Sequence, residues 1–164
     1  MKPHPLPAGP GQESVWSYPR PPRLEPTPRR IRVVHRGVVV ADARRALRLL
    51  ETSHPPTYYL PPDEVRRDLL VAAPGGSFCE WKGQAVYWSV QVAGELIATC
   101  AWSYPDPTRG FSALRDHVAF YARPFDECLV DDVRATPQPG GFYGGWVTPD
   151  LVGPFKGEPG THGW

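Results

Sequence analysis

Lysine is almost missing from these 164 residues: it stands only at positions 2, 82 and 156, and arginine carries the rest of the positive charge. Cysteine is as scarce, at 79, 100 and 128. Three scattered thiols cannot form a disulfide framework. With no Cys-x-x-Cys pair there is no structural zinc motif either, so neither a metal nor a cofactor is expected. Net charge is nearly absent, at +1, which removes the electrostatic basis for binding nucleic acid or an anionic membrane. Apolar runs of about 18 residues, the length that marks a membrane span, do not occur. Met1–Gly11 also lacks the apolar stretch of a secretory signal. The expectation is a cytoplasmic protein that meets neither membrane nor nucleic acid.

Proline (22 residues) and glycine (16) are plentiful instead. They favour turns and extended segments and argue against a helix bundle. With 41% apolar and 12% aromatic residues the chain can fill one core. Composition divides it into a proline-rich arm over 1–28, a β-rich core over 29–135 and a Gly/aromatic-rich tail over 136–164. Proline fixes φ and lacks an amide donor, so the arm is expected extended rather than laddered. Trp16 and Tyr18 are expected to dock it on the body. The rarity of lysine singles out Lys82 and Lys156, each of which follows an aromatic residue and precedes a glycine.

Along the core, Ile31 and Val33 alternate with Arg30 and Arg32, Gly37 offers a turn, and Val38–Val40 reads as a short strand. Between 42 and 52, Ala43, Ala46, Leu47 and Leu50 fall at helical spacing with Asp42 as N-cap. Leu47 and Leu49 also alternate, so a bulged strand stays open as the alternative. A helical turn capped by Asp63 is expected near 63–70. Phe111, Leu114, Val118 and Tyr121 predict a helix over 111–122.

The strongest pattern lies between Phe78 and Tyr104. Lys82-Gly83 and Ala93-Gly94 read as two-residue hairpin loops joining strands over 77–81, 84–92 and 95–104. That register sets Cys79 opposite Val86, Tyr87 opposite Cys100 and Ala85 opposite Trp102. Cys79, Trp81, Val86, Trp88, Val90 and Ile97 then share a core face, and Glu80, Tyr87, Ser89, Cys100, Trp102 and Tyr104 share the other. The fold expected is mainly β (α+β), an antiparallel sheet forming a tent-like or partial-barrel domain with one or two short helices.

The second face mixes aromatic walls with an acid and hydroxyl groups, which is how small-molecule sites are lined. Glu80, Lys82, Tyr87, Ser89, Trp102 and Tyr104 are therefore the candidate ligand-binding residues, with the Lys82 ammonium at the rim facing an anionic group. The structural alternative packs this face beneath the 111–122 helix and leaves Lys82 an ordinary turn residue. Cys79, Glu80 and Lys82 are the candidates for catalysis. Cys100 could also supply a thiolate, with His54 or His117 as its base. Asp131-Asp132, without nearby histidines, reads as a solvated acidic turn rather than a metal site. Three functions follow: a domain binding a small molecule, a metal-independent enzyme using Cys79 or Glu80 with Lys82, and a protein that pairs with a second copy through arm and tail.

In order along the chain, TYYLPPDEV, CEWKGQAVYWSV, AWSYPDP and HVAFYAR resemble the bacterial domain-of-unknown-function 427 family over about residues 30–125. The Cys-x-x-Lys-Gly-x-Ala-x-Tyr run is the most specific part. The resemblance implies a compact, mostly β domain akin to the β-tent architecture, and no particular activity. A nucleotidyltransferase label has been attached to that family. This chain lacks the Gly-Ser and the spaced pair of metal-binding aspartates that such chemistry needs. It also carries Glu80 where the family commonly has proline.

Overall fold

The computed structural model describes residues 3–164, and its regular structure is almost entirely antiparallel strand. The first six strands are β1 (Glu13–Ser14), β2 (Arg23–Pro26), β3 (Ile31–His35), β4 (Val38–Ala43), β5 (Leu47–Leu50) and β6 (Thr57–Tyr59). Three long ones follow, β7 (Leu70–Cys79), β8 (Gly83–Val92) and β9 (Glu95–Ser103). The rest are short: β10 (Val118–Phe120), β11 (Glu127–Val130), β12 (Val133–Arg134), β13 (Thr136–Pro137), β14 (Trp146–Val147) and β15 (Leu151–Val152). Helical structure among the described residues is confined to 3-10 turns, the longest being Arg109–Leu114.

Two four-stranded sheets, in the orders β10-β9-β8-β7 and β12-β11-β3-β4, and one three-stranded sheet, β2-β5-β6, form the body. Leu60 and Val118 exchange N–H···O bonds at 2.9 Å in both directions, which joins the chain after β6 to β10. The sheets wrap an apolar interior without closing into a barrel. Alternation decides which side chains enter it: β3 points Ile31 and Val33 inward, and β8 and β9 contribute Val90, Val92, Ile97 and Ala101. Each fully buried valine or isoleucine contributes about 1.5–3 kcal/mol. Trp146 completes this core from the tail, its indole N–H donating to Phe120 O at 2.9 Å.

Arm and tail are fastened to the same side of the body. Residues 13–14 run parallel to β15, and Val15, Tyr18 and Leu50 form a buried cluster with Trp16 and Phe155 against it. The Trp16 indole donates to Pro154 O at 2.8 Å. Arg48 on β5 binds Glu13 through two bonds of 2.9 Å and Glu25 at 2.8 Å, while the Tyr18 hydroxyl donates to Glu13 at 2.6 Å. The arm is also laddered, against the expectation of an unpaired extended segment. Its prolines cluster outside or at the end of β2, which pairs antiparallel with β5 from Arg23 opposite Leu50 to Pro26 opposite Leu47.

Several expectations change. The helix option over 42–52 gives way to the end of β4, a turn and β5. Glu64 decides this by accepting the turn's backbone N–H groups, from Arg44 at 2.9 Å and Arg45 at 3.0 Å, while Asp42 pairs with Arg30 instead of capping a helix. The helical turn near 63–70 is two 3-10 turns, Pro62–Glu64 and Arg67–Leu69, the first following Pro61 rather than an Asp63 cap. The helix predicted over 111–122 is a 3-10 turn followed by a strand. Asp116, at φ 58°, leaves the right-handed region, and Val118–Phe120 then pairs along β9. Leu114 and Val118 are both buried, as the spacing required, but in different clusters.

The register also differs. The first hairpin loop spans three residues, Glu80-Trp81-Lys82, so Cys79 lies opposite Gly83 rather than Val86. A slip of three is odd and turns β7 over: Cys79 joins the Tyr87 face and Phe78 stands 73% exposed. The Ala93-Gly94 turn is as expected, with Val92 opposite Glu95 and Val90 opposite Ile97. A bulge at Thr99 (φ 48°) then inserts two residues into β9 and moves the partner of Tyr87 from Cys100 to Trp102. Ala85 correspondingly no longer faces Trp102. An even shift preserves sidedness, so Tyr87 and Trp102 still share a face, but Cys100 packs into the main core.

Candidate functional site

Because Val118–Phe120 lies in the plane of the sheet, no α-helix among the described residues covers the Tyr87/Trp102 face, and only Phe111 and Leu114 of the 3-10 turn join its cluster. Above it is a cavity of about 590 Å³. Its floor is Trp102, Tyr104 and Tyr87 with Tyr59 behind them, and the Trp102 indole contacts Tyr59 Oη at 3.3 Å. One wall is the Glu80-Trp81-Lys82 loop together with Cys79 and Ser77. Thr108 anchors that loop twice: its N–H donates to Lys82 O at 3.0 Å and its hydroxyl to Trp81 O at 2.5 Å. The opposite wall comes from the turn after β5, with Glu51 and His54, and from the tail, with Phe142, Tyr143 and Lys156. A second cavity of about 460 Å³, bordered by Arg123, Pro124 and Cys100, shares Tyr87, Tyr121, Gln138 and Tyr143 with the first.

Close backbone approach holds the tail over the sheet. A Cβ on Gly140 would lie 2.0 Å from Gly157 O, and one on Gly144 would lie 2.1 Å from the Trp102 ring. Both segments can cross only because they carry no side chain there. Gln138, fully buried, ties the parts together. Its amide nitrogen donates to Lys156 O at 2.9 Å and to His54 Nδ1 at 3.0 Å, and its oxygen accepts from the Gly145 N–H at 3.0 Å. The carbonyl and the N–H fix which end of the amide is which, so His54 Nδ1 is an acceptor and the imidazole hydrogen sits on Nε2. Burial, followed by the charges of Lys156, Arg20 and Lys82, lowers the His54 pKa to about 4. The ring is therefore neutral at pH 7.

Lys82 and Lys156, so rare in the sequence, both line this cavity. Each ammonium lies over a tyrosine ring, Lys82 at 5.6 Å from Tyr104 and Lys156 at 5.4 Å from Tyr143. Neither pairs with an aspartate or glutamate among the described residues, whereas most arginines do. Burial raises the phenol pKa values of Tyr59, Tyr104 and Tyr121 and keeps them neutral. The arrangement can stack a planar group, donate hydrogen bonds from phenols and present positive charge from two sides.

Of the six ligand-binding candidates, Glu80, Lys82, Tyr87, Trp102 and Tyr104 line the cavity. Ser89 lines neither cavity: it is buried within the sheet, its Oγ accepting the Thr99 N–H at 2.9 Å where the bulge would otherwise orphan it. Among the catalytic candidates, Cys79, Glu80 and Lys82 come together on one wall. Cys100 and Cys128 are buried, and burial pushes both thiols up to about 12. His117 lies outside both cavities. Asp131 accepts the Arg30 N–H and Asp132 pairs with Arg32 in an exposed turn. Sequence reasoning did not bring Glu51, Gln138, Tyr143 or Thr108 to the site. Lys156 carried a signal in its rarity, but nothing local said where it goes.

A family model described as Domain of unknown function (DUF427) matches residues 23–131, two thirds of the chain. It takes in β2 to β11, including the sheet floor, the Lys82 loop and His54. The tail that supplies Gln138, Phe142, Tyr143 and Lys156 lies outside it. A comparison with curated proteins finds no match. With the family segment spanning most of its sheets, the chain belongs to the DUF427 family.

Proposed function

We propose that this protein binds a small polar or aromatic molecule on the Tyr87/Trp102 face, with Lys82 and Glu80 as polar anchors. One observation carries the reading: a cavity of about 590 Å³, within the usual range for small-molecule sites, brings together Trp81, Tyr87, Trp102, Tyr104, Lys82 and Glu80. Most arm and tail aromatics are occupied within the chain, Phe142 being the exposed exception: Trp16 packs tilted against Trp164 with centroids 5.5 Å apart, and Phe155 packs on the Val15 cluster. That favours ligand binding over self-association.

The test is thermal melting against a panel of small metabolites. A ligand at about 100 times its Kd adds roughly 2.7 kcal/mol, which raises Tm by about 5–11 °C for a chain of this size. Tyr87→Ala, half-buried on the cavity floor, should abolish the rise. A rise that persists undiminished in that variant, or native mass spectrometry and the full panel both showing no ligand, overturns the reading. The enzyme reading rests on a second observation: Cys79, half-buried, lines the same cavity as His54 and Lys82. It requires Cys79 as a reactive thiol or Glu80 as the acting carboxylate, with Lys82 beside either.

A further inference from the structure

The cavity carries a chemical preference beyond its size. Two of its walls each present a lysine ammonium that pairs with no aspartate or glutamate among the described residues, and both sit over tyrosine rings. Lys82 comes from the hairpin loop that Thr108 pins, and Lys156 from the tail segment that Gln138 and Ser53 pin, the latter accepting the Lys156 N–H at 2.9 Å. Lys156 Nζ donates to Trp164 O at 3.3 Å, its one acceptor among the described residues. The same cavity is lined by aromatic rings that hold one another in place: Trp102 and Tyr121 have centroids 4.7 Å apart, and Tyr143 meets His54 edge-on at 4.8 Å.

We infer, resting on the ligand-binding reading above, that the molecule taken is a planar aromatic anion, its ring on the Trp102/Tyr87 floor and its anionic oxygens held by Lys82 and Lys156. The remaining polar groups are consistent with this ligand. His54 is neutral and held in one tautomer, so it neither adds to nor cancels the lysine charge. Glu51 is engaged by Arg20 at 3.4 Å, which removes it as a repelling charge. Glu80 is the one cavity carboxylate without an ion-pair partner among the described residues. It sits in the hairpin loop and suits a hydrogen-bond donor on the ligand rather than its acid group. Carboxylate, sulfonate and phosphate each offer at least two charge-bearing oxygens that two ammonium groups can meet.

Two dyes with one ring system separate the charge from the ring: anilinonaphthalene sulfonate, an aromatic anion, and N-phenylnaphthylamine, its uncharged counterpart. Both fluoresce on entering an apolar site and both can be titrated against the whole chain. The anionic dye should bind about 10-fold or more tightly than the neutral one, and only the anionic dye should weaken as salt is raised. Lys82→Met and Lys156→Met should each lower the affinity for the sulfonate dye about 10-fold and leave the neutral dye within roughly threefold, the size expected of a charge-assisted hydrogen bond. The salt series on the unaltered protein needs no variant, so a lysine variant that fails to fold leaves the question decidable. Equal binding of the two dyes, or sulfonate binding indifferent to salt and to both lysine changes, overturns the anion inference while the cavity still binds rings. Binding of neither dye overturns the ligand reading itself.

Discussion

Gly144→Ala is the sharpest test of how the tail closes the cavity. Its Cβ would lie 2.1 Å from Trp102 Cη2, 2.9 Å from Cζ3 and 3.1 Å from Cζ2, so the methyl group collides with the indole rather than grazing it. The ring cannot retreat. Trp102 is only 8% exposed, its N–H meets Tyr59 Oη, and the Tyr121 ring packs 4.7 Å from it. The tail loop must lift instead. Forcing a methyl group into a filled site costs about 1–3 kcal/mol, and each kcal/mol shifts Tm by about 2–4 °C in a chain of this size. The expected fall is therefore about 2–12 °C by differential scanning calorimetry, with tryptophan emission moving to the red as Trp102 meets water. Gly110→Ala is the control: nothing lies within 4 Å of its Cβ, and its melting should agree with the parent to within about 0.5 kcal/mol. If Gly144→Ala melts with the parent and its emission is unmoved, the tail does not rest on Trp102, and the cavity loses its outer wall.

Three further outcomes follow from the same packing. Trp16→Ala should lower Tm by about 6–12 °C, since truncating a half-buried tryptophan costs about 3 kcal/mol; an unchanged melting curve would show the arm undocked. His54 resists protonation when folded and accepts a proton at its ordinary pKa of 6.5 when unfolded, so stability should be lost as pH falls from 6.5 through about 4. The loss amounts to about 3 kcal/mol. His54→Asn, which keeps an acceptor for Gln138, should remove that part of the pH slope, and a slope equal in both proteins would refute the assignment. Alkylation at neutral pH followed by peptide mapping should modify Cys79 first and leave Cys100 and Cys128 as thiols, because burial holds the latter two near 12. Modification of Cys100 before Cys79 would contradict the strand orientation.

The β character of the chain was legible because it is local. Alternation along β3 and β8 needs no knowledge of partners, and Ala93-Gly94 makes its turn within two residues, both at positive φ (49° and 77°). What failed was decided at a distance. Gly83 looked like the second residue of a tight turn, but the loop is one residue longer because Thr108, far along the chain, holds the carbonyls of Trp81 and Lys82. The apolar spacing of Ala43 and Leu50, or of Leu114 and Val118, is compatible with a helix and with two elements burying into different clusters. Glu64 in one case and the open edge of β9 in the other make the second arrangement the satisfied one.

The candidate site divides along the same line. Tyr87, Trp102 and Tyr104 could be grouped from sequence because residues on one sheet face recur with period two, and the bulge that moved their partners did so by an even step. No period relates β9 to residues 138–157. Their meeting depends on two glycines, 140 and 157, crossing closer than any side chain allows, and on one buried amide, Gln138, reading His54, Gly145 and Lys156 at once. Such contacts leave only a compositional trace, glycines where a loop would tolerate anything and a lysine where the chain otherwise writes arginine. That trace has a physical reading. Arginine spreads its charge over a planar fork that matches carboxylates, which is how this protein uses it in pair after pair along its surface. A compact ammonium over a tyrosine face instead keeps its charge concentrated at the cavity wall, and that concentration is what the salt series and the two lysine variants read.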